Sequence, residues 1–469
     1  MKIRALALDA LRGFAIIMMI LSGQMNVTHL PAWMAHAQVP PNASFDPSIY
    51  GITWVDLVFP FFLFAMGAAF PFSLGSKLAK GVNKYSLCWD SFVRALQLVF
   101  FAVFFEHMKP FVINSSMDLT ACFISLFAFG LMFLMFVNDS VPFLRNFKYG
   151  NWGVKIVTFL IGFIIMYNLE YTGKRTADFD IYFSDIIIIV LANMAFFASV
   201  IYIFTYKKPY YRLLVLPFVM AVFLAGANPG WVKLVYDFTP VPWVYTFYYL
   251  KYLFIVIPGS LAGEYLYEWI NSDAKKVSEN KDTSALLIAF TSLTLIVSNV
   301  GFLFTRQLEL NLLVTIFLLV SSYFILKSNQ SSFGIFWNKL FKIAAYCLLL
   351  GLVLEAYEGG IRKDHSTYSY YFVTSGLAFF GIIFLSVICD YFKCIKSTKF
   401  LVLAGQNPMI AYVATALVVM PILKLLTLTN YFDIFKEGPF MGFLQGAILT
   451  TLSILITMFF SKVKLFWRT

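Results

Sequence analysis

Long apolar stretches recur along the whole chain, and they constrain its fold more than any other feature. Of the 469 residues, 60% are hydrophobic and 13% are charged, about half the charged share of a typical soluble protein. A helix of about 20 apolar residues spans a bilayer, where only helices and closed barrels satisfy their backbone hydrogen bonds. Because the apolar stretches are continuous rather than alternating, the sequence predicts an all-α polytopic transmembrane helix bundle.

The apolar stretches are long and numerous enough to form about 11 to 14 membrane spans. The predicted spans are 14–30, 54–75, 90–107, 118–137, 153–169, 184–206, 211–228, 247–270, 284–304, 308–327, 338–356, 370–391, 402–427 and 438–460. The segments between them are short, so no soluble domain is expected. Residues 1–469 are therefore expected to form a single integral-membrane domain.

Lysine and arginine predict how the spans are oriented. With the N-terminus inside, 24 of the 35 basic residues fall in inner segments and 9 in outer segments, while Arg94 and Lys424 lie within spans. This bias predicts that both termini are cytoplasmic. The net charge of +11 then anchors the protein at the inner leaflet, and no nucleic-acid partner is expected because no basic stretch is interleaved with aromatic residues.

All four histidines fall on the predicted outer side. They are His29, His36, His107 and His365. Histidine is the common acid and base near neutral pH, so this arrangement suggests a chemical centre at the outer face. An alternative for His107 and His365 is an interfacial imidazole that bonds to a loop carbonyl. A zinc site built from the four histidines is a further alternative, but nearby carboxylates lack ligand spacing, and we expect no metal.

The five cysteines predict no disulfide framework. All of them lie in spans or on the predicted inner side, and none forms a metal-binding pattern with histidine. The cysteines are Cys88, Cys122, Cys347, Cys389 and Cys394.

Asp9 and Arg12 open the first span and lie three residues apart, on one helical face. They could form a local ion pair at the inner interface. Alternatively, Arg12 and Arg94 could bind the phosphates of a cytosolic ligand, because a guanidinium group matches phosphate geometry. Both arginines lie near the predicted inner face.

Polar residues also gather at the outer end of the first two spans. The stretch 22–29 contains serine, glutamine, asparagine, threonine and histidine, which predicts a cavity rather than a lipid-facing surface. Asp56 lies in the first turn of the second span, three residues after Thr53. It could complete a helix cap, or it could orient a histidine, and the two roles are compatible.

Two N-terminal motifs carry a family resemblance. The first is Leu-Asp-Ala-Leu-Arg-Gly at 8–13, and the second is Gly-x-Thr-x-x-Asp-Leu-Val-Phe-Pro at 51–60, followed by Met-Gly at 66–67. Together they resemble the heparan-α-glucosaminide N-acetyltransferase family and its bacterial relatives. The resemblance implies a polytopic enzyme that moves an acetyl group from cytosolic acetyl-CoA to an amino group of a sugar on the far side of the membrane.

Two later motifs extend the resemblance, which is best over 1–110 and 355–415. Ile-Arg-Lys-Asp-His-Ser-Thr-Tyr-Ser-Tyr at 361–370 resembles a family segment that leads into a late span. Gly-Gln-Asn-Pro-Met-Ile-Ala-Tyr at 405–412 resembles the opening of the following span. The family histidine lies in a His-Ala segment between the first two motifs, and His36-Ala37 is the matching place here. The segment around Asp237 takes the place of a family acidic segment.

The resemblance implies a role for each candidate residue. His36 would be the catalytic base or acyl carrier, and Asp56 would orient its imidazole. Acetyl-CoA, the acyl donor, would bind at Arg12, Arg94 and Asn407. The remaining candidates would bind the acceptor sugar or the developing oxyanion. These are His107, Asp237, Lys363, His365, Ser369 and Tyr370.

The sequence therefore predicts a transmembrane acyltransferase of the bacterial cytoplasmic membrane, with N- or O-acylation left open. Its expected partners are acyl-CoA, an envelope or scavenged sugar, the lipid bilayer and a possible second copy of the chain. The alternative is a secondary transporter or flippase for a sugar or lipid-linked precursor, which also needs many spans with polar residues at membrane depth. Against it, the interior charges cluster at span ends rather than at the midplane.

Overall fold

The computed structural model describes residues 5–137, 150–173, 176–272 and 283–467. Helices dominate the described residues, and the one sheet among them is a two-residue antiparallel pair, β1 (Tyr171–Thr172) and β2 (Thr176–Ala177). The predicted all-α polytopic bundle is confirmed. Several basic residues used to predict its orientation lie outside the described residues: Lys2, Arg4, Arg145, Lys148, Lys174, Arg175, Lys275, Lys276, Lys281 and Arg468.

The α-helices follow one another along the chain with short connections. They are α1 (Leu6–Gln24), α2 (Trp54–Ala68), α3 (Ser76–Ala79), α4 (Lys84–His107), α5 (Pro110–Ile113), α6 (Leu119–Phe136), α7 (Gly150–Asn168), α8 (Ile186–Phe204), α9 (Pro209–Ala225), α10 (Trp231–Tyr236), α11 (Leu253–Asn271), α12 (Thr283–Thr305), α13 (Leu308–Ser328), α14 (Ser332–Tyr357), α15 (Tyr368–Ser386), α16 (Ile395–Gln406), α17 (Pro408–Ala414), α18 (Met420–Leu425) and α19 (Pro439–Lys462). Wider π-type turns continue three of them at Pro71–Gly75, Val387–Tyr391 and Thr415–Val419. Tighter 3-10 turns form at Val27–His29, Ala32–Met34, Phe247–Tyr252 and Leu428–Lys436.

Within the described residues, eleven helices are long and apolar enough to cross a membrane. They are Leu6–Gln24, Trp54–Ala79, Lys84–His107, Leu119–Phe136, Ile186–Phe204, Thr283–Thr305, Leu308–Ser328, Ser332–Tyr357, Tyr368–Tyr391, Pro408–Leu425 and Pro439–Lys462. The three other predicted spans, 153–169, 211–228 and 247–270, overlap α7, α9 and α11. The structure therefore supports the lower end of the predicted range by length and composition.

Two of the differences between predicted spans and observed helices affect the motif residues. The first span was predicted at 14–30, but α1 covers Leu6–Gln24, which places Asp9 and Arg12 inside the helix. Residues beyond it turn through Val27–His29 toward Pro31. The span predicted at 402–427 is interrupted at Asn407, because Pro408 begins a new helix and cannot supply the amide hydrogen that would continue α16.

The N-terminal helix packs tightly against α16. An added Cβ at Gly13 would lie 1.8 Å from the carbonyl oxygen of Leu401, and one at Gly405 would lie 1.9 Å from that of Asp9. Any side chain at either position would force the two backbones apart. Small residues allow such close approach of membrane helices. The glycines of the 8–13 and 405–412 motifs thus face each other across one helix pair.

Helices α2 and α15 lie at the centre of the bundle. Helix α2 packs against α1, α11 and α15, while α15 also packs extensively against α14. The residues of α15 are almost all buried, and its polar side chains are turned inward with its apolar ones. These two helices position the residues of the candidate site.

Candidate active site

Asp56 is a buried carboxylate at the start of α2. Thr53 adopts an extended conformation before the helix, and the two residues form a reciprocal cap. Oδ2 of Asp56 accepts hydrogen bonds from the backbone nitrogens of Thr53 (3.0 Å) and Ala37 (3.2 Å). Both predicted roles of Asp56 are therefore present, because its other oxygen contacts a histidine.

His36 lies in the loop between α1 and α2, with its side chain half-buried. Its Nδ1 lies 2.7 Å from Oδ1 of Asp56. The hydroxyl of Thr53 donates to the carbonyl of Ala35 over 2.7 Å, which fixes the chain immediately before the histidine. The loop is therefore tied to the start of α2 on both sides of His36, and the imidazole is oriented by a buried carboxylate.

Lys363 completes the cluster from the distant loop 358–367, which joins α14 to α15. Its Nζ lies 3.2 Å from Nδ1 of His36 and 3.9 Å from Oδ1 of Asp56. Nδ1 cannot donate to Asp56 and accept from Lys363 at once. The bond to Asp56 is shorter and joins opposite charges when the imidazole is protonated, so we assign the Nδ1 proton to it. Lys363 then acts as a neighbouring cation, and Nε2 is the basic nitrogen.

A cavity of about 440 Å³ opens beside this cluster. His36 and Lys363 both line it, and the predicted polar outer half of the first span contributes Ser22 and Gln24. Lys109 and Asp185 also reach the cavity, from the ends of α4 and α8. The prediction that residues 22–29 face a cavity is thus confirmed for these two side chains.

A smaller apolar cavity of about 30 Å³ continues from the first one. The two share a set of lining residues: Met19, Phe59, Ile187 and Tyr412. The smaller cavity also reaches Ile16 and Leu98. Ile16 is about one helical turn from Arg12, and Leu98 is about one turn from Arg94. The smaller cavity therefore lies between the larger one and the helical turns that carry the two arginines, although neither arginine lines it.

Arg12 and Arg94 lie near each other, about one helical turn from the smaller cavity. Nη1 of Arg12 lies 3.7 Å from Oδ1 of Asp9 and donates to the carbonyl of Gly405 over 3.3 Å. The charge of Arg94 is near enough to interact with that of Arg12, and Arg94 is exposed. The local ion pair predicted for Asp9 and Arg12 exists.

Three predicted acceptor residues do not join the cluster. His107 is buried, donates from Nδ1 to the carbonyl of Val103 (2.8 Å), and packs among aromatic rings. Asp237 is half exposed and pairs with Lys233 on the same helical turn. His365 is exposed to solvent. None of the three lines the cavity, and the carbonyl that His107 contacts belongs to its own helix rather than to a loop.

Three further candidates support the backbone instead of facing the cavity. Asn407 is buried, donates to the carbonyl of Leu465 (2.7 Å) and accepts from the amide of Trp467 (3.1 Å), so its side chain holds the C-terminal segment. Tyr370 donates to the carbonyl of Asp56 over 2.7 Å. Ser369 donates to Thr367 over 2.8 Å. Tyr370 therefore acts on the site through the backbone that carries Asp56.

Sequence patterns did not point to Gln38, which joins the two loops of the site. Its side-chain oxygen accepts from the amide of Asp364 over 2.8 Å, and its nitrogen donates to the carbonyl of the same residue. Lys109 and Asp185 were missed as well. Lys109 lies two residues after His107, but helix α4 turns His107 inward, and of the two only Lys109 lines the cavity.

Within the described parts of the chain, no three His, Cys, Asp or Glu side chains are grouped so that they could hold a metal ion. All five cysteines are unpaired.

No curated protein of known function matches the chain. A family model does match it over residues 4–266, which is more than half of its length. This region includes His36, Asp56 and both arginines, whereas Lys363 lies beyond it. The chain therefore belongs to the family described as a domain of unknown function, DUF5009.

Proposed function

We propose that the protein is a membrane acyltransferase that moves an acyl group from acyl-CoA to an amino or hydroxyl group of a sugar. The observation that carries the proposal is the imidazole of His36, which is held by a buried carboxylate and opens onto a cavity. The motifs at 8–13 and 51–67, which resemble the heparan-α-glucosaminide N-acetyltransferase family, agree with it.

His36 is the proposed general base. With Nδ1 donating to Asp56, Nε2 is available to take the proton of the acceptor. The acceptor nitrogen or oxygen bonds to the thioester carbonyl carbon, the C–S bond breaks, and the thiol of coenzyme A leaves with the proton that His36 returns. Lys363, which lines the same cavity, would stabilise the negative charge that develops on the carbonyl oxygen.

Arg12 and Arg94 are the proposed contacts for the phosphates of the donor. The two guanidinium groups lie near enough to interact electrostatically, and each offers the planar fork of donors that matches phosphate oxygens. The smaller cavity, whose apolar lining includes Ile16 and Leu98, suits an uncharged thioester arm. Its small volume means that this cavity must widen when the arm enters.

The larger cavity has the mixed character of a sugar site. Gln24, Gln445 and Asp185 offer hydrogen-bonding groups, and Phe111 and Phe432 offer aromatic surfaces. Sites for small polar ligands commonly combine a few such polar groups with apolar and aromatic walls. A sugar of the cell envelope, or one from a scavenged glycan, is therefore the proposed acceptor.

The proposal also requires an orientation, with the His36 cavity outside the cytoplasm and the arginines inside, in a bacterial cytoplasmic membrane. Single-cysteine variants test it. The native Cys394 and a cysteine introduced by Ser44→Cys are both exposed positions. An impermeant thiol reagent applied outside intact cells is expected to label the residue-44 variant alone. Labelling of both from the same side would reject the orientation.

The reaction is tested by incubating the purified protein with radiolabelled acetyl-CoA, with and without glucosamine-type acceptors. Acceptor-dependent release of free coenzyme A, with label in the sugar, supports the proposal. The same protein in sealed vesicles provides the contrast with a transporter. Accumulation of the unmodified sugar inside the vesicles, without thioester cleavage, would overturn the acyltransferase proposal.

A further inference from the structure

Ser366 is held at all three of its polar groups, although it lies in a loop. Its hydroxyl is hydrogen-bonded to the hydroxyls of Tyr248 and Tyr371, each over 2.7 Å. Its amide donates to Tyr248 over 3.0 Å, and its carbonyl accepts from Nζ of Lys251 over 2.9 Å. Ser366 is buried and lies three residues after Lys363. No other residue of loop 358–367 has this many described anchors outside its own loop.

Lys251 is enclosed by aromatic rings at the end of the 3-10 turn that precedes α11. Its Nζ lies 4.8 Å from the ring centre of Phe223, 5.1 Å from that of Tyr248 and 5.5 Å from that of Tyr368. Three rings around one ammonium group are a cation–π cage of the kind that binds quaternary ammonium ions. Here the cage holds a side chain of the protein itself, and the one described hydrogen bond of that side chain goes to Ser366.

The loop is stiff between Ser366 and Lys363. The amide of Arg362 donates to Oγ1 of Thr367 (3.0 Å), and the amide of Thr367 donates to the carbonyl of Arg362 (3.1 Å), which closes the segment on itself. Gln38 holds the same segment from the His36 side through Asp364. A displacement of Ser366 is therefore passed to Lys363 rather than absorbed by the loop.

We propose that Lys251 is a positioning residue, whose caged ammonium fixes loop 358–367 so that Lys363 stays beside His36. It touches none of the reacting groups itself. The catalytic part of this inference rests on the proposed acyltransferase function, whereas the effect of Lys251 on the Lys363–His36 contact does not.

The surroundings of Lys251 make its charge sensitive to pH. Burial lowers the pKa of Lys251 to about 8, against a smaller opposing effect of Glu358. The titratable groups that face it are Glu358, Tyr248 and Tyr368, and burial raises the pKa of Tyr248. A lysine of this kind loses its proton as the pH rises through about 8, and an arginine in its place would not.

The test compares Lys251→Met and Lys251→Arg with the wild type, and uses Lys436→Met as a control on an exposed lysine far along the chain. The side-chain ¹⁵N resonances of His36, recorded at fixed pH in histidine-labelled protein, report the Lys363 contact without any reaction. We expect Lys251→Met to shift these resonances, and Lys251→Arg and Lys436→Met to leave them near their wild-type positions. Unchanged His36 resonances in Lys251→Met would overturn the proposal.

Acyl transfer provides the second measurement. We expect Lys251→Met to lower kcat about tenfold with little change in the KM for acetyl-CoA, and Lys251→Arg to restore kcat and move the alkaline limb of its pH profile above pH 8. An alkaline limb that stays in place in Lys251→Arg would reject Lys251 as its source. If the wild type shows no transfer but Lys251→Met shifts the His36 resonances, the proposed function fails and the positioning role stands.

Tyr248→Phe keeps the inference testable if Lys251→Met does not fold. This variant retains the ring of the cage and removes the hydroxyl that contacts both the amide and the hydroxyl of Ser366. We expect it to fold and to shift the His36 resonances in the same direction as Lys251→Met. Resonances that match the wild type would contradict the view that anchoring of Ser366 controls Lys363.

Discussion

The helices that carry the candidate site and the helices at the edge of the bundle differ in how much of their surface is buried inside the protein. In the central spans Trp54–Ala79 and Tyr368–Tyr391, 72% and 89% of the most apolar window is buried inside the protein. In Leu308–Ser328 the share is 28%. All three are similarly hydrophobic, so composition does not separate them. The central spans contact protein on nearly every side, whereas the peripheral one presents large apolar side chains outward, where lipid would cover them.

The difference in burial is reflected in the support that each candidate residue receives from its surroundings. Asp56 starts a central span, and Tyr370, near the start of the other, bonds to the carbonyl of Asp56. The carboxylate of Asp56 is therefore supported by two buried helices, since α2 carries it and α15 bonds to its backbone. A residue such as Asp237, on a short exposed helix and paired with its own neighbour, lacks this support. The following predictions test the contrast between the two regions, from the largest expected effect to the smallest.

The largest effect is expected for His36→Ala. Removal of the imidazole should lower acyl transfer by about three orders of magnitude, because the acceptor loses its base. Folding and acyl-CoA binding should change little, since the side chain is half exposed. The measurements are kcat, acyl-CoA affinity and thermal stability. The matched control is His365→Ala, an exposed histidine in loop 358–367, which should keep near wild-type activity. Equal losses of activity in both variants would show that the histidine in the cavity matters no more for transfer than the histidine on the surface.

Asp56→Asn should reduce kcat by about a hundredfold, because an amide orients the imidazole less strongly and does not stabilise its charged form. It should also cost about 1 kcal/mol of stability through the weakened helix cap. Asp118 is the control, since it caps α6 by accepting from the amide of Ala121 over 2.8 Å and is exposed. Asp118→Ala should lose about 1 kcal/mol of stability with normal kcat. A normal kcat in Asp56→Asn would leave Asp56 as a cap alone.

Leu377→Ala and Leu313→Ala compare the two regions directly. Leu377 is fully buried in α15, and Leu313 is 66% exposed on α13. We expect Leu377→Ala to destabilise the protein by about 2 kcal/mol, because it leaves a cavity among packed helices. Leu313→Ala should cost much less, since lipid can fill the space. Unfolding in mixed micelles measures both. Similar losses would show that the edge helix is packed against protein in the assembled state.

The smallest effect is expected at Arg12, near the smaller cavity. Arg12→Lys keeps the charge but loses the planar fork, and it should weaken acyl-CoA binding by about tenfold, the equivalent of one good hydrogen bond. Arg12→Ala should weaken binding further. Arg306→Lys, which alters an arginine paired with Glu355 at a different place in the fold, is the control. Normal acyl-CoA binding by both Arg12 variants, with poor expression, would make Arg12 a structural anchor.

The sequence predicted the all-α class of fold and both residues of the contact between His36 and Asp56. Apolar length predicted helices, and each predicted span overlaps a helix of the structure. The position of Asp56 was predictable, because a carboxylate in the first turn after Thr53 follows a local rule for helix starts. Its pairing with a histidine was predicted from the residue types. Local rules did not distinguish His36 from His107, since both lie near span ends, and only the direction of each side chain separates them.

Local patterns alone determined that this chain is a bundle of apolar helices, since hydrogen bonding within each helix and the apolar solvent dictate that outcome wherever the helices are placed. Tertiary structure decided which polar residues meet. Lys363 reaches His36 across 327 positions of sequence, and Gln38, Lys251 and Ser366 became significant only through partners that are distant in the chain. A side-chain contact of this kind depends on how helices pack and how loops close. That information is spread over the whole sequence rather than written in any one motif.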